Sequence, residues 1–359
     1  MAERLDHLDG LRGIAALLVL YQHLVEHWAR AAPGATAIQA HLGWLYTYLD
    51  LGKVGVVAFF AISGFIVPAS FRGESPRLGF VVSRLFRLFP AYWLAVVLAA
   101  LLLPVFAGQP VSAAQALANL SMVPALWHQA DLMGIFWTLR VEWVFYALCL
   151  LLFTLGGIRS ATVTRGLGLA LLAFALLAGL LRGQGLAGVP VALPLYLAVM
   201  LFGHLMRLTL LQQDAQARRH WPRQLLALCV LIPLCWALAY DDATHKESVL
   251  ADCSAFLLGL ALFVCCVTQR RFAAPLLAWL GRISYGVYLF HPLALAVFIA
   301  SWQQPLWPGD QLALRALLAL AATLLTAQLV LHGLELPATR LGRRLLRRPV
   351  RPQPQEHGA

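Results

Sequence analysis

Arg12 and His23 stand eleven positions apart in a run that is otherwise almost wholly apolar. On an α-helix that step turns about 1100°, within roughly 20° of three full turns, and rises about 16.5 Å. A guanidinium near one membrane surface is therefore aligned with an imidazole about three turns deeper. Ionisable side chains inside a bilayer are costly and face a cavity or a partner. Two further groups fall at a level close to that of His23. Glu142 lies about 9 Å from the outer end of its apolar run, and His291 about 16 Å from the inner end of its own. An imidazole, a carboxylate and a second imidazole at comparable depth can act as a base, its orienting partner and a group that binds an acceptor. Each also has a plainer reading. Glu142 can pair with Arg140, and His291, which precedes Pro292, can bind a carbonyl freed by the helix break. Glu26, one turn beyond His23, reads as solvated near the outer interface.

A second constellation sits on the inner side. Arg84 and Arg87 are three positions apart, on one face if the segment is helical, just before a run that starts at Pro90. Arg12 falls in the first turn expected for the first span, where free backbone N–H groups already favour anions. Asp9 reads as the cap of that helix. Three guanidiniums with a helix N-terminus suit a phosphate or pyrophosphate; ordinary positive-inside bias is the alternative for Arg84 and Arg87. A ligand charged at the surface and reactive near His23 must be long and thin, which describes acyl-coenzyme A with its pantetheine arm.

These groups must be positioned by membrane helices. The 359-residue chain is 61% hydrophobic and 12% charged, with a mean hydropathy of +0.75, far from the roughly 25% charge of soluble domains. Apolar stretches of spanning length recur about ten times, at 11–28, 51–70, 90–107, 136–156, 166–182, 190–210, 223–240, 249–268, 280–301 and 311–333. The expected fold is an all-α polytopic bundle. Segment 111–127 reads as a re-entrant or interfacial piece, and the loops between spans as short.

With ten spans, 21 of the 27 Lys and Arg residues fall on one side, among them Arg4, Arg12, Arg84, Arg87, Arg270, Arg271 and the run Arg340–Arg351. Lys53, Arg140, Arg182, Lys246 and Arg315 are among those left on the other. That bias puts both termini in the cytoplasm. The net charge of +11 then needs no nucleic acid, since basic residues at the inner surface meet anionic membrane lipids. The start lacks the pattern of a cleavable signal. Residues 1–348 read as one transmembrane domain and 349–359 as a disordered Pro-rich tail. The six cysteines lie in apolar segments without ligand spacing, and no metal site is expected.

The motifs in order also carry a resemblance. Leu8-Asp9-Gly10-Leu11-Arg12-Gly13 leading to His23, Phe59 to Phe65 around Ser63-Gly64, and Arg84-x-x-Arg87 with Pro90 come first. Trp137-Thr138-Leu139-x-x-Glu142, Ser284-Tyr285-x-x-Tyr288-Leu289-x-His291-Pro292 and Glu335-Leu336-Pro337 follow. Together they resemble the membrane-bound acyltransferase-3 family, bacterial acyl-CoA-dependent O-acyltransferases that modify surface glycans and some small molecules. The resemblance implies His23 as the catalytic histidine and Glu142 as part of the transfer cavity; in the expected mechanism Glu142 or another carboxylate steadies the imidazolium. The resemblance implies Arg12, Arg84 and Arg87 as acyl-CoA ligands, and Ser63, Tyr285, Tyr288 and His291 as the lining of the transfer cavity. Ser63-Gly64 also reads as a site of close helix packing.

The co-substrate is then acyl-CoA, with acetyl-CoA the first choice, and the acceptor a cell-surface carbohydrate or glycolipid. His23 serves either as general base or as a transient acyl carrier. The expected location is the bacterial inner membrane. The short chain after the last span reads as a stand-alone form, or one served by a separate extracytoplasmic transferase. A proton-coupled transporter or flippase for glycans or lipids is the rival reading, with His23, Glu142 and His291 as its relay.

Overall fold

The structure is a computed structural model that describes residues 6–186, 188–240, 247–269, 272–299 and 311–346. The tail 349–359 and Arg4, Lys246, Arg270, Arg271, Arg347, Arg348 and Arg351 lie outside the described residues. Every regular element among those described is helical. The long helices are α1 (Asp6–Ala31), α3 (Leu51–Ile66), α4 (Pro76–Phe106), α6 (Trp137–Thr154), α7 (Ala161–Gly183), α8 (Ala192–Leu210), α9 (Ala215–Ala239), α10 (Val249–Gln269), α11 (Pro275–Phe298) and α12 (Leu312–Val330). Shorter ones are α2 (Thr36–Tyr48), α5 (Ala113–Asn119) and α13 (Leu336–Leu345).

Nine helices among the described residues are long and apolar enough to cross a membrane, α12 and α13 counting as one. The tenth long helix, α11, has the length to cross at 24 residues. It carries Arg282, Tyr285, Tyr288 and His291, so the helix that falls short on composition is one rich in candidate site residues. It is packed between α1 and α12, and no pair of elements packs more extensively than α1 with α11. The helix most fully enclosed is α8, whose inner position matches its apolar character on all sides.

Close packing rests on small residues. A Cβ on Gly281 would run into the backbone of Asp9, and one on Gly13 into Leu277, Leu280 and Gly281, so α1 and α11 touch backbone to backbone. The same device joins α3 to α8, where Gly64 lies on the backbone of Met200 and Gly203 on that of Ala61. The packing expected of the Ser63-Gly64 pair is therefore present.

Several boundaries differ from expectation. Helix α4 starts at Pro76, not Pro90, and continues through Pro90 and Pro104. In an apolar medium a helix broken at proline would leave more backbone groups unpaired than one that runs through it. Arg84 and Arg87 therefore belong to the same helix as the span. Helix α1 runs from Asp6, so Asp9 lies within its first turn rather than at a cap, and Arg12 lies beyond the free N–H groups. The anion-favouring contribution of the helix terminus does not reach Arg12. The segment 29–50 holds the 13-residue helix α2, and 111–127 holds the seven-residue α5 and a 3-10 turn at Pro124–Trp127, both too short to cross. A π-helical turn, Leu331–Glu335, links α12 to α13. Gly342 of α13 lies on the ring of Phe86 in α4, beside the arginine pair. Helix α1 thus begins and α13 ends at the same end of the bundle.

Candidate functional site

The basic groups come together. Arg12 from α1 and Arg84 and Arg87 from α4 line one cavity, with Ser63 of α3, Glu142 of α6 and Tyr285 of α11 on its other walls. About 830 Å³ of space there is free of protein atoms. Arg84 donates from Nη2 to Ser70 Oγ at 2.7 Å and lies over the rings of Phe80 and Tyr146, at 5.7 and 5.6 Å from their centroids. Its Nε is buried without a partner. Neither Arg12 nor Arg87 forms a hydrogen bond or ion pair with the described residues. The carboxylate of Glu335, on the π-helical turn, lies within electrostatic range of both. Three guanidiniums with most of their donors unused, facing one apolar-walled space, form a receptor for a multiply charged anion.

Glu142 belongs to this cavity. Its Oε1 accepts from Tyr146 at 2.7 Å and from Ser63 at 3.2 Å. The expected pairing with His23 is not formed, and neither is a pair with Arg140, which binds Asp131. Glu142 instead lies within electrostatic range of Arg12. Depth counted along α6 carried no information about which space its carboxylate faces. Tyr285 lines the cavity and donates to the carbonyl of Leu88 at 2.8 Å.

His23 opens into a second cavity, of about 1040 Å³. Val56 and Tyr288 line both spaces, so the two meet at that pair. The hydroxyls of Tyr288 and Thr138 lie 2.9 Å apart, and each reaches the carbonyl of Ile135. His23 Nδ1 is 2.9 Å from the carbonyl of Val19. A carbonyl only accepts, so Nδ1 carries the proton and the lone pair is left on Nε2. His291 repeats the arrangement, with Nδ1 at 3.1 Å from the carbonyl of Val287. Its Nε2 is buried without a partner. The two rings meet edge to face, 5.1 Å between centroids. His291 is fully enclosed and lines neither cavity, so its expected place on the cavity wall is corrected to one behind His23.

The far wall of the histidine cavity was not legible in the motifs. Lys53 at the start of α3 is ion-paired with Asp252 of α10 and with Asp50. Glu26 is buried rather than solvated, accepting from Gln22 at 3.4 Å and from Arg30 at 3.2 Å. Trp137, Tyr196, Trp236 and Tyr240 supply aromatic surface. Burial raises the pKa of the Tyr240 phenol, which lies just beyond α9. Single charged residues in apolar segments were the available signal, but nothing in their spacing joined residues 26, 53 and 252.

A family model for the acyltransferase domain matches residues 5–332. The chain belongs to the acyltransferase-3 family. It is thus an acyltransferase with membrane-spanning helices, and the match covers every residue that lines either cavity, with Glu335 just beyond its end. No curated protein and no solved structure matches it. Within this acyltransferase, no three His, Cys, Asp or Glu side chains among the described residues come together as metal ligands.

Proposed function

We propose that this acyltransferase moves an acyl group from acyl-CoA, acetyl-CoA first, to a hydroxyl of a carbohydrate or glycolipid across a bacterial inner membrane. The observation that carries this reading is the meeting of two chemically different cavities at Val56 and Tyr288. One offers three guanidiniums to phosphates, the other a basic imidazole nitrogen to a hydroxyl. The arginine cavity would face the cytoplasm, in keeping with the positive-inside bias of the chain, and take the charged end of the co-substrate. The pantetheine arm would carry the thioester towards the junction, over a distance of the order of the 16.5 Å rise from Arg12 to His23.

In the transfer step, His23 Nε2 takes the proton of the acceptor hydroxyl as its oxygen attacks the thioester carbonyl carbon. The C–O ester bond forms, the C–S bond breaks, and the imidazolium returns its proton to the departing thiolate. Transfer through an acyl group held briefly on Nε2 uses the same lone pair. Nδ1, tied to the carbonyl of Val19, holds the tautomer that either route requires. A separate extracytoplasmic transferase could complete delivery to a distant glycan.

The test is binding and slow hydrolysis of radiolabelled acetyl-CoA by purified protein. Saturable binding weakened in Arg12→Ala, with turnover lost in His23→Ala, is the expected result. Absence of acetyl-CoA binding by well-folded protein would overturn the donor assignment.

A further inference from the structure

A second pair of arginines lies near the arginine cavity without forming part of its wall. Arg207, close to the end of α8, donates from Nη1 to the carbonyl of Phe65 at 3.2 Å, and its guanidinium carbon lies 5.7 Å from the centroid of that ring. Its Nε is buried without a partner. Arg72 donates from Nε to the carbonyl of Ala69 at 3.1 Å and lies within electrostatic range of Arg207. One short segment joins this pair to the cavity. Phe65 is followed by Ile66 and Val67, which line the cavity, and by Ser70, which accepts from Arg84.

Ordinary basic residues at a membrane surface turn their donors to water. Arg207 is instead half-buried, held by a carbonyl and a ring, with one donor shut away from solvent. Neither arginine forms an ion pair with a carboxylate among the described residues. Glu74, two positions past Arg72, is exposed and pairs with neither. Two like charges held close repel each other. A phosphate between them offsets that repulsion and takes up the unused donors. Acyl-CoA has such a group to spare. It carries a pyrophosphate and, farther from the thioester, a phosphomonoester on its ribose. With the pyrophosphate at Arg12, Arg84 and Arg87, the monoester is left for a site beyond the cavity wall.

We infer that Arg72 and Arg207 form a second phosphate site, separate from the three arginines of the cavity. The ligand is a phosphate group, and its two sources are the ribose phosphomonoester of acyl-CoA and the headgroup of an anionic lipid. The first source rests on the acyl-CoA reading above; the second does not.

The test uses the full chain in phosphatidylcholine nanodiscs, with acetyl-CoA and acetyl-3′-dephospho-CoA compared by equilibrium dialysis. Wild-type protein should prefer acetyl-CoA by about tenfold, the scale of one hydrogen bond to a charged group. Arg207→Gln and Arg72→Gln should each remove most of that preference, weakening acetyl-CoA and leaving the dephospho compound as it was. Arg72→Gln, at an exposed position, keeps the test sound if loss of the Arg207 contact with Phe65 impairs folding. A second arm measures Tm in nanodiscs with and without phosphatidic acid. A rise in Tm that both variants lose, with no preference between the thioesters, supports the site and assigns it to lipid. If neither the thioester preference nor the lipid response depends on Arg72 or Arg207 in folded protein, the inference is overturned. Failure of wild-type protein to bind either thioester removes the donor assignment, and the lipid arm then decides the site by itself.

Discussion

His23 and His291 meet edge to face, with ring centroids 5.1 Å apart and planes inclined at 65°. Each ring donates from Nδ1 to the carbonyl four residues earlier on its own helix. Both therefore carry their lone pair on Nε2, and neither depends on a carboxylate for its tautomer. The contact follows from helix packing, since α1 and α11 are drawn together by Gly13 and Gly281. Only the His23 ring reaches a cavity. The pair thus presents one ring to the cavity, with a second ring fixed behind it.

Replacing His23 by alanine removes the one imidazole among the described residues that lines the histidine cavity. A positioned base contributes about 10²–10⁴-fold to a proton-transfer step. Acetyl transfer, measured as coenzyme A release in the presence of acceptor, should fall by about that factor. Acetyl-CoA affinity should stay unchanged, because His23 lies outside the arginine cavity. Near-normal turnover in a folded His23→Ala protein would remove His23 from the chemistry.

Arg12 and Arg87 should act on binding instead. A hydrogen bond to a charged group contributes about 1.5–3 kcal/mol, so Arg12→Ala or Arg87→Ala should weaken acetyl-CoA by about 10–150-fold. The effect should appear in Kd, by equilibrium dialysis with labelled acetyl-CoA, more than in the rate at saturation. Arg84→Ala is a less clean probe, because Arg84 also braces Ser70, Phe80 and Tyr146. An unchanged Kd in both Arg12→Ala and Arg87→Ala would mean that the phosphates bind elsewhere.

Composition and hydropathy were enough for an all-helical bundle, and the ordered motifs for the family. Helical periodicity aligned Arg12 with His23, and depth alone set His291 near His23. Depth failed for Glu142, because a position counted along one helix does not say which space the side chain faces. Its carboxylate turns to Ser63 and Tyr146. Helix ends were misjudged where Pro90 reads as a start, since a lipid-embedded helix retains its proline and goes on. The Lys53–Asp252 pair was invisible because it joins α3 to α10 across some two hundred residues, with no local pattern to mark it.

Val56 tests whether the two cavities serve one reaction. It is 8% exposed and lines both spaces opposite Tyr288. Val56→Phe should plug the junction at an overpacking cost of about 1–3 kcal/mol. Acetyl-CoA should still bind with near-native affinity, while transfer to acceptor is blocked. Val56→Ala should keep transfer and admit longer acyl chains, read from a series of acyl-CoA donors. Full transfer activity in a folded Val56→Phe protein would show that the thioester does not pass this point.

Gly281 links helix packing to the imidazole pair. A Cβ there would overlap the Asp9 backbone, and backbone cannot rotate out of the way as a flexible side chain can. Gly281→Ala must therefore push α11 away from α1, with a cost of about 1–3 kcal/mol from overpacking. The Tm in detergent should fall by several degrees. Turnover should fall further than the folded fraction explains, because the same movement separates His291 from His23. Gly43→Ala is the control: nothing lies within 4 Å of its added carbon, so both readings should stay at the wild-type level. If Gly281→Ala lowered the Tm and left the turnover of the folded protein intact, the close α1–α11 contact would be needed for stability alone.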